Sequence, residues 1–283
     1  MIDLTRTILV AVCMTVSCVS LVNAQEKQNG KPYLCKNQFE VDYIGYERIL
    51  GPVETANIER ETLVSEGHTL FTNKGKPYVF ATYKYDRSGR LIEKNFYRVD
   101  GVALPKSTFD YNAAGDLVKE NYFSAITNKP HLETNYIYEN GFLKESIGRN
   151  IEDGGFLSKK VFTYDSNKNY FEFEETTSYK SPTIRVGFRQ DEKCRFAEAF
   201  GYGDNGNVAG RSVINFDSFD NPSSIISYSS DGTILAKRKY EYKYDKYNNW
   251  TEQSDFSWKT ENGKPEWVLV EIGYRKIKYF DTK

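Results

Sequence analysis

Histidine is nearly absent from this chain. Among 283 residues there are two, His68 and His131, in unrelated surroundings with no cysteine or second histidine nearby. Zinc needs three or four clustered protein ligands, so no zinc site is expected, and no catalytic arrangement built on a positioned imidazole can be argued. Cysteine is scarce as well: four in all, of which Cys13 and Cys18 lie in the apolar leader. Only Cys35 and Cys194 remain beyond it, a pair that export permits to form one disulfide. No Gly-rich phosphate loop occurs. Lys and Arg number 38 against 39 Asp and Glu, a net charge of −1. Such a balance gives no electrostatic footprint for nucleic acid or anionic lipid.

Long apolar runs are missing too, with one exception at the start. Residues 8–22, ILVAVCMTVSCVSLV, follow Arg6 and precede Val22-Asn23-Ala24. Basic flank, short apolar core and small residues at the end describe a secretory signal cleaved after Ala24. The run is short of the ~20 residues of a spanning helix. Lipid anchoring at Cys18 would need a better residue than Thr15 three positions before it. Cleavage removes one acid, Asp3, and one base, Arg6, leaving the balance unchanged. Charged residues at 27% and a mean hydropathy of −0.62 predict a soluble, exported protein: periplasmic, surface-attached or extracellular.

What the chain has in excess is aromatic residues: 22 Tyr, 18 Phe and three Trp. They recur in a frame. Tyr85, Tyr111, Tyr138, Tyr164, Phe188, Tyr202, Phe216, Tyr228 and Tyr244 each stand two residues after another apolar side chain, from Tyr83 to Tyr242. A short polar residue often follows, such as Asp86 or Asp245, and accepts a backbone N–H two residues on. Four residues after the anchor stand Gly89, Gly115, Gly206 and Gly232, with Asp220 and Asn248 in two copies and Gly141 in a copy one residue shorter. That position asks for positive φ, which glycine adopts freely and Asn and Asp tolerate. Lys168 and Glu192 break the rule, so those two turns are expected to differ. Six residues after the anchor the chain is apolar again, as at Leu91, Leu117, Tyr170, Cys194 and Trp250, with Pro222 the exception.

Each copy therefore reads as strand, three-residue turn, strand, with Tyr85 facing Leu91 and Asp86 facing Arg90. The fold class is all-β: a long antiparallel β-meander of repeated hairpins, about fifteen strands from residue 76 to 281. A sheet this large curls, giving a coiled sheet or an incomplete barrel. The organisation is a signal (1–24), a leader and cap (25–75) and a repeat domain (76–283). Residues 40–66 are strand or short helix.

The phrases YKYDRSGRL, FDYNAAGDL, YIYENGFL and YEYKYDKYNNWTE resemble YD repeats, the units of bacterial RHS proteins, over roughly residues 76–258. YENGFLKESIG also resembles MORN-like variant repeats. The resemblance implies β-rich, exported, wall- or surface-associated proteins, some of which build shells around toxin domains, and a link to carbohydrate binding. At this length a full shell is not expected, nor a toxin domain after the repeats.

No catalytic residue or cofactor emerges. Glu172 and Glu174 in FEFEETT fit a solvated strand face better than a glycosidase pair. Asp204-Asn205-Gly206-Asn207 fits a turn better than a calcium loop. Asn249-Trp250-Thr251 is a glycosylation sequon that the repeat already explains. Trp258, Trp267 and Trp250 remain as candidates for stacking on a ligand, with Trp250 also fitting the core column. The expectation is a non-enzymatic module that binds a glycan or an envelope protein, without stable membrane insertion. The alternatives are an envelope carbohydrate-active enzyme with an Asp/Glu pair and an outer-membrane β-barrel. The barrel is disfavoured because Glu93, Lys119, Glu145 and Glu252 are expected on the same face as the aromatics.

Overall fold

A computed structural model describes residues 49–63, 76–178, 183–261 and 264–281. The signal, the leader, Cys35, His68 and the turn at residues 180–182 lie outside them. Sixteen strands follow in order: β1 Val53–Thr62, β2 Tyr78–Tyr85, β3 Leu91–Phe96, β4 Ser107–Tyr111, β5 Leu117–Phe123, β6 Pro130–Glu139, β7 Phe142–Asn150, β8 Phe156–Tyr164, β9 Tyr170–Thr177, β10 Ile184–Gln190, β11 Phe196–Tyr202, β12 Val208–Phe216, β13 Pro222–Ser229, β14 Ile234–Tyr244, β15 Trp250–Glu261 and β16 Lys264–Tyr279. β2 to β16 are the fifteen strands of the repeat, each hydrogen-bonded to its neighbour in sequence.

The sixteenth strand changes the topology. β1, from the segment expected to be a cap, pairs antiparallel with β2 on one side and β16 on the other. The strand order is therefore closed, a barrel without an edge, rather than a curled sheet or an incomplete barrel. Unpaired edge N–H and C=O groups are costly and invite aggregation, and closure removes them. The chain divides into two compact units. One holds residues 134–237 and the other residues 49–133 and 238–283.

The turns follow one hydrogen-bond pattern. Asp86 N donates to Arg90 O at 2.9 Å and Gly89 N to Asp86 O at 3.0 Å. Asn112, Asp191, Gly203, Asp217, Ser229 and Asp245 start turns with the same pair of bonds. The turn of the shorter copy has Asn140 at φ 53° and Gly141 at φ 80°, the two-residue type I′ pattern.

Two turns expected to differ also place their residue in the left-handed region. Lys168 has φ 60°. Its loop is one residue longer, closing from Asp165 N to Tyr170 O, so Phe171 and not Tyr170 enters the apolar column opposite Tyr164. In the other, Cys194 has φ 61° and holds the glycine place of the turn Asp191–Arg195. The anchor there is Gln190 and the column residue is Phe196, each two residues later than the expected Phe188 and Cys194. Pro222 keeps its column place, buried opposite Phe216 as the first residue of β13, where no ladder N–H is needed.

After a signature turn the register slips by one residue. Tyr85 faces Leu91, but Lys84 faces Glu93 and Tyr83 faces Lys94. The same bulge follows the turns at Tyr111, Gln190, Tyr202, Phe216 and Tyr244. An extra residue moves everything after it to the other face. Glu93, Lys119 and Glu252 thereby leave the aromatic face, contrary to expectation, and Glu145 pairs with Lys159 at 2.9 Å on the open face. A strand with signature turns at both ends also changes phase, so Phe200, Tyr202, Ile226 and Tyr228 lie on the charged face rather than in the core.

One face of each unit is buried. In the unit of residues 134–237 it carries Phe162, Phe171, Phe173, Phe188 and Phe196, whose rings meet at centroid distances of 5.5 to 6.4 Å. In the other unit it carries Ile58, Tyr83, Tyr85, Leu91, Phe109, Leu117 and Trp250. The opposite, open face is charged.

Candidate functional site

The three tryptophans part company in the structure. Trp250 is 2% exposed, with the Arg275 guanidinium 3.7 Å from its ring centroid; it is a core residue. Trp258 and Trp267 face each other directly across β15 and β16 on the open face. Their rings meet edge to face at 5.0 Å, and they are 36% and 39% exposed. The ladder runs on from them to Glu261 opposite Lys264. Phe256 opposite Leu269 extends the patch, and Lys239 Nζ lies 4.6 Å from the Phe256 centroid and 5.9 Å from that of Trp267.

β1 pairs with β16 from Tyr279 back to Glu271, and Leu63 N still reaches Val270 O at 2.8 Å. Among the described residues, Lys264–Leu269 have no partner on the β1 side.

The seam is fastened near the opposite end of β16. Asn249, 1% exposed, accepts from Leu50 N at 2.6 Å through Oδ1 and donates from Nδ2 to Leu50 O and to Tyr279 OH, both at 2.8 Å. Tyr279 OH donates to Asp245. The Tyr247 ring packs on Tyr279 at 4.5 Å and against Gly51, whose φ of 81° brings the backbone close. The sequon asparagine is thus a buried fastener.

Two further polar groupings stand out. On the buried face Lys94 Nζ and Glu120 Oε1 are 2.9 Å apart, with side chains 6% and 0% exposed. On the open face Glu172 binds Arg185 at 2.7 Å and accepts from Tyr170 OH, which also bonds Tyr202 OH. Glu172 is therefore an ion-pair partner on a strand face, and Glu174 is exposed. Gly187 makes room for this cluster, since a Cβ there would come within 2.4 Å of Tyr170 OH.

The remaining predicted residues are structural. Gly89, Gly115, Gly206 and Gly232 have φ between 76° and 88°, and Asn248 has φ 64°. Asp86 Oδ1 accepts from Ser88 N at 2.8 Å and Arg90 N at 3.0 Å. Its carboxyl is held below its usual value: partial burial pushes it up, but the bonds from Arg90 and Ser88 outweigh that. Cys194 is disulfide-bonded, while Cys35 lies outside the described residues. No group of three or more His, Cys, Asp or Glu able to hold a metal ion occurs among the described residues.

No protein family model and no curated protein matches the chain. Among solved structures, a porin-like protein from Bacteroides vulgatus ATCC 8482 is similar over 81% of this chain and 100% of that one, at 11% identity and a TM-score of 0.45. A porin-like protein from Bacteroides uniformis ATCC 8492 is similar over 81% and 98%, at 11% identity and a TM-score of 0.37. A TcdB2–TccC3 structure is similar over 63% of this chain and 11% of that one, at 14% identity and a TM-score of 0.27. The expected soluble module binding a glycan or protein through an open repeat sheet does not stand. The sheet is closed around sixteen strands, which is what the outer-membrane alternative required. The charges cited against membrane insertion are not among the core aromatics: the bulges move Glu93, Lys119 and Glu252 to the open face.

Proposed function

We propose that this chain is an exported β-barrel of the bacterial outer membrane. Closure carries the reading. An even number of antiparallel strands whose last partner is the first leaves no unpaired backbone edge, and among β structures only closed barrels can sit in a bilayer. The apolar leader ahead of the barrel supports export, and the uniform turns support a YD-type repeat bent into a ring. No reaction is assigned.

A second reading rests on a specific observation. The open face is crossed by ion pairs: Lys84–Glu93, Lys119–Glu133, Lys243–Glu252 and Lys278–Glu54 in one unit, Lys159–Glu145 and Arg185–Glu172 in the other, at 2.6 to 3.8 Å. A Lys or Arg turned to lipid at the bilayer midplane costs about 2–4 kcal/mol. That face favours a barrel seated at the membrane surface, with its charges in water.

Fractionation separates the two. The full chain, made with its leader in a host with two membranes, is expected in the outer-membrane fraction and should resist alkaline carbonate until detergent is added. Release by carbonate alone would select the surface-seated barrel. A freely soluble periplasmic pool would overturn both.

A further inference from the structure

We propose that Tyr170 and Tyr202 form a site of oxidative cross-linking, which peroxide and a one-electron oxidant convert into a dityrosine joining β9 to β11 across β10. The proposal does not depend on how the barrel meets the membrane. Three observations carry it. The two phenol hydroxyls bond each other directly, from residues 32 positions apart. Gly187 on the intervening strand leaves the room for this, since a Cβ there would come within 2.4 Å of the Tyr170 hydroxyl. Both tyrosines are half-buried on the open face, so they are held in place and still within reach of a small oxidant.

The new bond of a dityrosine joins the carbons ortho to the two hydroxyls. The product therefore keeps its hydroxyls within hydrogen-bond reach of each other, a relation that the folded chain already holds. Each ring gives up one electron and its phenolic proton. The two ortho carbons then bond, and each sheds its hydrogen as the ring becomes aromatic again and the oxygen regains a proton. One hydrogen peroxide takes up the two electrons and two protons lost overall and becomes two waters. The surroundings suit the step. Tyr170 OH donates to Glu172 at 3.1 Å, which gives its proton an acceptor as the electron leaves. Arg185 holds Glu172 at 2.7 and 2.9 Å, and its guanidinium lies 4.3 Å from the Tyr202 ring centroid. The Phe200 ring meets Tyr170 edge to face at 6.0 Å. Tyr247 and Tyr279 have closer rings, at 4.5 Å, but the Tyr279 hydroxyl bonds Asp245 and Asn249 instead, so that pair serves as the internal competitor.

Signal-cleaved full chain, kept dilute in a mild detergent, is treated with hydrogen peroxide and a haem peroxidase. The blue fluorescence of dityrosine is read on the monomer after gel filtration, and the joined peptides are mapped by mass spectrometry. The wild type should yield a monomer in which the peptides of Tyr170 and Tyr202 are joined. Tyr170→Phe and Tyr202→Phe, each keeping its ring, should lose that species, and Gly187→Ala should lower its yield severalfold. Oxidised wild type should unfold at a higher urea midpoint than oxidised Tyr202→Phe, because a cross-link restricts the unfolded chain. A monomer joined only at other tyrosines, Tyr247 and Tyr279 included, would overturn the proposal, and so would a monomer with no cross-link. An undiminished yield in Gly187→Ala would overturn the hydroxyl contact as its cause. Circular dichroism before oxidation confirms that each variant is folded.

Discussion

Asn249 grips the backbone of Leu50 with both ends of its carboxamide, at 2.6 and 2.8 Å, across 199 positions of sequence. The side chain stands in for one rung of a β-ladder where β1 enters the ring. Removing it would strand two backbone groups. An unpartnered buried donor or acceptor costs about 1–3 kcal/mol. Asn249→Ala is therefore expected to lower unfolding free energy by roughly 2–4 kcal/mol in urea. Asn249→Asp, which keeps an acceptor and loses the donor, should not restore it. An unchanged midpoint in Asn249→Ala would show that the seam holds without the fastener.

The Lys94–Glu120 pair predicts strong non-additivity. Lys94→Met leaves a buried carboxylate without its cation and is expected to cost about 3–5 kcal/mol. Glu120→Leu in the same chain should recover most of that, because a matched apolar pair avoids the desolvation of both charges. Equal losses in the single and double variants by chemical denaturation would exclude the coupling.

Turn residues should respond to their backbone angle. Gly89, at φ 78°, has open space around a new Cβ, so Gly89→Val should cost roughly 1–2 kcal/mol through conformation alone. Lys168→Gly should do the reverse and raise the melting temperature. Its gain is offset in part by loss of the ammonium near the rings of Phe142 and Tyr164. A lower melting temperature for Lys168→Gly would mean the ring contacts outweigh the strain.

Gly187 tests the open-face cluster. Gly187→Ala should displace Tyr170 from Tyr202 and Glu172 and destabilise by about 1 kcal/mol, the scale of one lost hydrogen bond. Gly187→Ala in a Tyr170→Phe background should cost less, since the hydroxyl is the nearest obstacle. Thermal melts of the four chains decide it.

Asp86 gives a pH dependence with a fixed sign. Its folded carboxyl lies below the ordinary carboxyl value of 3.8, so its contribution is complete above that pH and is lost as the pH falls through the folded value. Asp231, held down to about 2 by the Ser229 hydroxyl first and Thr233 N–H next, behaves the same way at the other turn. The melting temperature of Asp86→Asn should lie below wild type at pH 7, and the two should converge as the pH drops below 4. A constant gap would place the effect in packing.

Much of this was legible in the chain. The aromatic frame gave the strand number between residues 76 and 281, the Tyr85–Leu91 and Asp86–Arg90 pairings and the positive-φ column. It failed at two copies for identifiable reasons. At Asp191 the true anchor is a glutamine, and the nearby Phe188 and Cys194 imitated the frame in a false phase. At Asp165 the extra residue went into the loop instead of the strand. Neither signal is visible in residue type alone.

Local chemistry decided the hairpins: alternation of aromatic and polar side chains builds the strands, and Gly, Asn or Asp where φ must be positive builds the turns. These choices involve residues within about ten positions of one another, so sequence determines them. Three things were left to the tertiary structure. The bulges chose which charges share a face with the core, because a one-residue slip in pairing inverts a face without altering composition. β1 carries no repeat signature, and only the two free edges of β2 and β16 made it a strand. Closure itself joins residues more than 200 positions apart, and what drives it, the cost of two unpaired sheet edges, exists only once the other fifteen strands have formed.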